Sequence, residues 1–268
     1  AAYESRVRNW AGVNLNMNRG MIGGKQIINK PNALPPYYRF NNAEKQTYFS
    51  AYHISESTVR DYVSGIKNNK VEYMVGYALS NYFLADLIVK NKINVPQLKA
   101  VLTSSEKLTE EMREVFKKAY GCKTYDSYSG VEACGLISEN SEGDFLWSPD
   151  TGIAEVIDDS GNISLEGELI STFDQPLIRY RISDNIKISK SQLTKSGSEM
   201  LKIDEVYGRV EDAIITKDGR KIISLYRLFL DIPNLKLAQV IQYTFEEFKI
   251  NIVVDNSFNL NLIKNIKK

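Results

Sequence analysis

Histidine is nearly absent from this sequence: of 268 residues only His53 is one. A zinc centre built on several imidazoles is therefore excluded, and a Ser–His–Asp triad could be assembled only on that residue. Cysteine is almost as scarce. Cys122 and Cys134 are too few for a disulfide framework and are not spaced as a zinc site. No uninterrupted apolar run reaches about 18 residues, so no transmembrane helix is expected. The opening "AAYESRVRNW" lacks the basic-then-apolar order of a secretory signal. Without an export signal the two thiols are expected to be reduced, buried small side chains in a cytoplasmic protein. Net charge is small as well. The 34 Lys and Arg nearly cancel the 33 Asp and Glu, leaving +1, so bulk electrostatics draw the chain neither to nucleic acid nor to an anionic membrane. The pattern GxxxxGK[ST] does not occur, which excludes a P-loop NTPase.

What is present is an ordinary globular composition, 43% hydrophobic and 25% charged, in a chain long enough for one large core or two smaller domains. Residues 1–18 read as a helix, followed by a loop-rich region broken by Gly23–Gly24 and "NKPNALPPYYRF". "SESTVRDYVSGIKNN" places Val59, Tyr62, Val63 and Ile66 at helical spacing, and "LSNYFLADLIVKN" repeats the pattern through Phe83, Leu84, Leu87 and Ile88. Between and after them "VEYMVGY", "LKAVLT" and "KTYDSY" read as strands. "LTEEMREVFKKAYG" carries Met112, Val115, Phe116 and Ala119 on one face, acids early, lysines late and Gly121 as a stop. This alternation predicts an α/β layer with a largely parallel sheet.

The character changes near residue 145. "GIAEVIDDSGNISLEGELISTF" is two β-rich runs around a "DDSGN" turn, and "LIRYRISDNIKIS" follows, so a small, mostly antiparallel β subdomain is expected. "SKSQLTKSGSEM" reads as an exposed loop. From about residue 210 the order is strand, "KDG" turn, strand, a short helix near "SLYRLFL", then the β runs "KLAQVIQYTF" and "FKINIVVD". The expected division is 1–144, 145–210 and 211–268, the last a small α+β domain. No internal repeat or low-complexity tract is evident.

"TYDSYSGVEACGLISE" lies at the carboxyl end of a predicted parallel strand, where open α/β sheets bind ligands. Tyr128 offers a π-face for a flat base, and Asp126 an acceptor for an exocyclic amine. Ser129 and Gly130 allow close backbone approach, and Glu132 is a hard oxygen ligand for Mg²⁺. A strand, a turn and a helix start would explain the same residues without any ligand. In "LIRYRISD", Asp184 can accept two hydrogen bonds from a ribose diol, or simply close a turn. In "VYGRVEDAIITKDGRKI", Arg209 is either a phosphate ligand or a surface arginine.

Taken in order, "YFSAYHIS", "TSSEKL", "YDSYSGVE", "PLIRYRISD" and "GRVEDAIITKDGRKI" resemble blocks of the adenylate-forming superfamily of acyl-CoA synthetases. Within it the chain is most similar to phenylacetate–CoA ligases and their relatives in capsular polysaccharide biosynthesis. The resemblance covers nearly the whole chain and is strongest from Leu98 to Ile222. It implies a partial adenylate-forming fold: a parallel-sheet core, a small antiparallel β subdomain and a small α+β C-terminal domain. It implies that Tyr128 stacks on adenine, Asp126 contacts its amine, and the Thr103–Glu106 loop, with Ser105 and Glu106, flanks the nucleotide beside Ser129. Glu132 would bind the Mg²⁺ of MgATP, Asp184 the ribose hydroxyls, and Arg209 ribose or phosphate. His53 matches the family's aromatic or histidine position near the acyl pocket and is either pocket wall or a structural residue; "PPYYRF" hints at an aromatic lining. Glu211 matches the hinge between the family's two domains.

Two departures are small: Ser129 stands where relatives often have glycine, and Ser183 replaces glycine in an arginine–x–glycine–aspartate pattern. Two absences are larger. The family's Ser/Thr/Gly-rich triphosphate loop and its catalytic lysine have no counterpart, since Lys264, Lys267 and Lys268 are not in that context. The chain is thus expected to be a fragment, inactive by itself, of an ATP-dependent carboxylate–CoA ligase. Such an enzyme would use a small-molecule carboxylic acid, ATP, Mg²⁺ and CoA, with no nucleic-acid partner and with homo-oligomerisation left open. The alternatives are an adenylating enzyme that passes the acyl group to an amine or carrier protein, and a nucleotide-binding protein without turnover.

Overall fold

Apolar spacing that switches between periods of two and 3.6 builds the first half of the chain from alternating strands and helices. The computed structural model describes residues 2–28, 34–130, 135–172, 179–209, 214–215, 221–222, 229, 232–255 and 257–259. Helix α1 (Ala2–Trp10) ends eight residues before the expected limit. Gly12 takes φ +71 there, and the amide of Val13 donates back to Arg8 O at 2.9 Å, a glycine-terminated helix end. Helix α2 (Val59–Asn68) buries Val59, Tyr62, Val63 and Ile66, the face its spacing predicts. Helix α3 (Ala78–Lys90) is rotated from the expected face: Ala78, Asn81, Leu84, Ala85 and Ile88 are buried, while Phe83 is exposed. Helix α4 (Glu110–Tyr120) is capped by Thr109, whose hydroxyl accepts from Met112 N, and stopped by Gly121 at φ +67. Phe116 and Tyr120 carry its buried face, with Met112, Val115 and Ala119 packed beside them.

The region read as loop-rich holds three strands instead: β1 (Arg19–Gly23), β2 (Tyr38–Asn41) and β3 (Gln46–Ser50). Glycine misled the reading. A Cβ on Gly20 would stand 2.4 Å from the sulfur of Met74 and 2.9 Å from the ring of Phe49, so this glycine serves close packing within a strand and not a turn. Strands β4 (Tyr73–Tyr77), β5 (Ala100–Ser104) and β6 (Lys123–Ser129) follow. The order β3-β1-β4-β5-β6 is parallel throughout, with β2 antiparallel on the outer edge.

Beyond β6 the sheet turns antiparallel. Strand β7 (Leu136–Glu139) stands where a helix start was the plain alternative, and it pairs back on β6. Strands β8 (Phe145–Trp147), β9 (Ile153–Ile157), β10 (Glu166–Thr172), β11 (Tyr180–Ile188) and β12 (Lys202–Arg209) complete one twelve-stranded sheet ending β6-β7-β8-β12-β11-β10-β9. Three cores lie on it, a small one of Ala11, Val13, Tyr73, Ala100 and Tyr125 and two larger ones. One packs α2, α3 and α4 through Phe49, Tyr62, Ile66, Leu84 and Phe116. The other gathers Ile137, Trp147, Val156, Leu169, Ile182 and Ile186 from the antiparallel part. Cys122 is a free thiol whose pKa burial pushes up to about 12; Cys134 is outside the described residues.

The chain separates into two compact units, Ala1–Gly208 and Arg209–Lys268. In the second, β13 (Ile214–Ile215) pairs with β14 (Lys221–Ile222), and β15 (Leu235–Gln242) with β16 (Phe248–Val254), both antiparallel. The Gln242 amide ties the two hairpins together by bonding both Ile215 N and Ile215 O, at 2.8 and 2.7 Å. The helix expected near "SLYRLFL" falls almost wholly outside the described residues. No described helix is long and apolar enough to cross a membrane.

Candidate active site

Five parallel strands share one edge at their carboxyl ends, and the residues singled out in the first unit line that edge. In register, Thr103 of β5 stands beside Asp126 of β6. The buried Thr103 hydroxyl donates to Asp126 Oδ1 at 3.0 Å, and the same oxygen accepts from Ser127 N at 3.0 Å. Ser127 Oγ in turn donates to Thr103 O at 2.9 Å. Burial raises the Asp126 pKa to about 6, against the opposing pull of these two hydrogen bonds and of Arg113. The carboxylate is thus fixed by one oxygen, leaving the other to meet a donor.

Tyr128, two residues on, donates a short hydrogen bond to Oδ2 of Asp184. Asp184 is buried on β11. Four strand spacings separate β6 from β11 in the sheet order. At about 4.8 Å each a flat sheet would hold them about 19 Å apart, further than tyrosine and aspartate side chains together reach. The sheet therefore curls between them, and the contact closes one end of the row. Ser183, just before Asp184, sits at φ +65, and the pairing of β10 with β11 slips register beside it. This bulge re-aims the Asp184 carboxylate. The left-handed region is one where glycine is favoured.

Ser105 and Glu106 follow β5 on the same edge. Ser105 is also left-handed, at φ +68, and Glu106 accepts from Leu79 N at 2.8 Å, a carboxylate on the first turn of α3 where the helix dipole favours it. Ser129 closes β6 and is exposed. His53 lies past the carboxyl end of β3, in a 3₁₀ turn over Ala51–His53. That is four spacings, about 19 Å, from Asp126 along the same edge. Its Nδ1 is 2.7 Å from Ser50 Oγ, and its ring stacks on Tyr37 at 5.0 Å and 19°. Tyr37 stacks in turn near Tyr62, whose hydroxyl donates to Ser50 O at 2.6 Å. The "PPYYRF" segment thus reaches His53 through Tyr37. Glu132, Glu211 and the side chain of Arg209 are outside the described residues. Among the described residues no three His, Cys, Asp or Glu side chains cluster as metal ligands.

Sequence reasoning passed over Arg113 and Glu139. Arg113 Nη2 pairs with Glu139 Oε2 at 2.8 Å behind Asp126. One reads as a helix-surface charge and the other as a strand end, and nothing local in the sequence joins them.

The fold is the one seen in adenylate-forming ligases. Structures of 2-hydroxyisobutyryl-CoA ligase share it. An open conformation in complex with 2-HIB-AMP and CoA matches with TM-score 0.57 at 15% identity, over 99% of this chain and 62% of that one. The thioesterification state of the same enzyme gives 0.60 at 14% identity, over 98% and 60%. An anthranilate CoA ligase in complex with anthranoyl-AMP gives 0.50 at 13%, over 98% and 55%. Among characterised sequences, Protein CapK of Staphylococcus aureus is 26% identical over 275 residues, covering 99% of this chain and 61% of CapK. The chain therefore spans about three-fifths of the length of that relative. No protein-family model matches it.

Proposed function

We propose that this protein activates a carboxylic acid with ATP, releasing pyrophosphate to give an acyl-adenylate, and then transfers the acyl group to the thiol of CoA. The observation that carries the reading is the meeting of Tyr128 and Asp184 beside Asp126. An aromatic face, a buried acceptor for a diol and an acceptor for an amine lie together at the carboxyl end of parallel strands, the parts an adenosine needs. In this reading Asp126 takes the adenine amine, Tyr128 the ring and Asp184 the ribose hydroxyls, with Ser105, Glu106 and Ser129 as flanking walls. Arg209 stabilises charge on phosphate oxygens. Mg²⁺ bound with ATP would neutralise further phosphate charge, and Glu132 is the carboxylate the sequence offers to hold it. The row running about 19 Å from Asp126 to His53 suits an elongate acyl-nucleotide, its acyl end against His53 and Tyr37. Two stacked rings there favour a planar acid such as an arylacetate, which is the finer part of the proposal, as are residence in the cytoplasm and a small domain 211–268 hinged at Glu211.

The reading is tested on this chain by itself, for which nucleotide binding without turnover is expected. It is also tested on an enzyme that joins the chain to a triphosphate loop and a catalytic lysine, incubated with MgATP and a panel of carboxylic acids with and without CoA. From that enzyme, acid-dependent pyrophosphate and acyl-AMP are expected without CoA, and the thioester with it. Asp184→Ala should raise the KM for ATP at least about tenfold, the loss of one charged hydrogen-bond acceptor. Acyl-AMP that passes only to an amine or a carrier protein would replace CoA as acceptor. Failure of MgATP and AMP to bind at all would end the nucleotide reading.

A further inference from the structure

We infer that Arg113 and Glu139 are positioning residues for the nucleotide-reading end of β6, holding the backbone from which Asp126 and Tyr128 project. The inference rests on the proposed nucleotide site and names part of what builds it. Strand β6 is paired with β5 from Lys123 to Ser127. On its other side it pairs with β7 only at Ser127, Tyr128 and Ser129. Among the described residues, then, Thr124 to Asp126 have a ladder on one side alone. Residues i and i+2 of a strand point their backbone groups the same way, so Thr124 O and Asp126 N both face the bare side. Buried backbone groups left there without partners would be costly.

Arg113 and Glu139 supply the missing partners. Arg113 reaches from α4 and donates from Nη1 to Thr124 O at 2.8 Å. Glu139, the last residue of β7 and buried, accepts from Asp126 N at 3.0 Å through Oε2. The same Oε2 receives Arg113 Nη2 at 2.8 Å, and Nη1 lies 3.4 Å from Oε1. An ion pair thus continues the β6–β7 ladder past the point where β7 ends. Helix α4, β7 and β6 are joined at Thr124 and at Asp126 itself. A carboxylate accepting two hydrogen bonds, one from a guanidinium, is a stiffer partner than water for the Asp126 amide. With no ladder on that side before Ser127, this pair sets where the Asp126 backbone stands as it enters the paired stretch that carries Tyr128. The two residues touch no ligand themselves.

The test measures hydrogen exchange at the Asp126 amide and calorimetric binding of AMP in the wild-type protein and in Glu139→Ala, Glu139→Gln and Arg113→Ala, with melting curves to confirm folding. Glu139→Ala is expected to speed exchange and weaken AMP each by about tenfold, the loss of a charge-assisted hydrogen bond, and to raise the KM for ATP more than it lowers kcat. Glu139→Gln keeps a carbonyl acceptor for the amide and should recover most of both. AMP affinity within about twofold of wild type in Glu139→Ala, or glutamine no better than alanine, would overturn the positioning role while leaving the nucleotide site in place. A wild-type protein that does not bind AMP would overturn both.

Discussion

Asp126 sits where burial and function pull against each other. Its pKa in the folded protein, about 6, lies above the ordinary 3.8 because burial disfavours the charge. A raised folded pKa means that protonation favours the fold. The stabilisation is complete below about pH 4 and is lost as pH rises through about 6. At neutral pH the ionised group is a standing cost of up to about 3 kcal/mol. Asp126→Asn keeps the acceptor for Thr103 and Ser127 and removes the charge, so it should raise the thermal midpoint at about pH 8 and leave it nearly unchanged at about pH 4. Equal midpoints at both pH values would show that the carboxylate is better solvated than its surroundings suggest. Ser183 makes a smaller compromise: Ser183→Gly relieves a left-handed backbone and should stabilise the protein by about 1 kcal/mol in urea denaturation. Tyr128→Phe keeps the ring and releases Asp184 from its phenol. The preference for ATP over 2′-deoxy-ATP, read as the ratio of kcat/KM, should fall several-fold, and an unchanged ratio would detach the phenol from ribose reading. Asp126, Tyr128 and Asp184 could be singled out in the sequence, and the fold brings Tyr128 to Asp184. Arg113 and Glu139 could not, because their meaning depends on a backbone pairing that stops short between them.

Among the elements, α2 and α4 announced themselves. Helix α4 has a threonine cap, early acids, late lysines and a left-handed glycine, all local signals. Thr109→Ala should therefore cost about 1 kcal/mol, the ordinary value of a lost cap. Strand β1 was hidden because its glycines resemble turn formers, and β2 and β3 because the prolines and asparagines before them read as loop while their strand partners are remote in sequence. Gly76, in β4 just before α3, marks a close approach of two strands. It has φ +121, and a Cβ there would stand 1.9 Å from Ile22 O. Gly76→Ala should cost about 3 kcal/mol or more, well beyond the cap, although both remove or add a few atoms. Chemical denaturation of the two variants side by side gives the comparison; a smaller loss for Gly76→Ala than for Thr109→Ala would mean that β1 and β4 part easily.

On the scale of the whole molecule, fold class was readable and strand order was not. Alternating strands and helices predict a parallel layer, but nothing in the sequence places β1 between β3 and β4, or runs the antiparallel strands on into the same sheet. Order is set by which faces bury each other, a non-local outcome. The curl that joins β6 to β11 follows from that order, and it has a consequence for stability. Tyr128 and Asp184 are 56 residues apart in the chain, so half of the proposed adenosine seat does not exist until the antiparallel strands have docked. A nucleotide that touches both sides acts as a stitch across this seam. At about a hundred times its dissociation constant, AMP should add about 2.7 kcal/mol to the stability of the folded state.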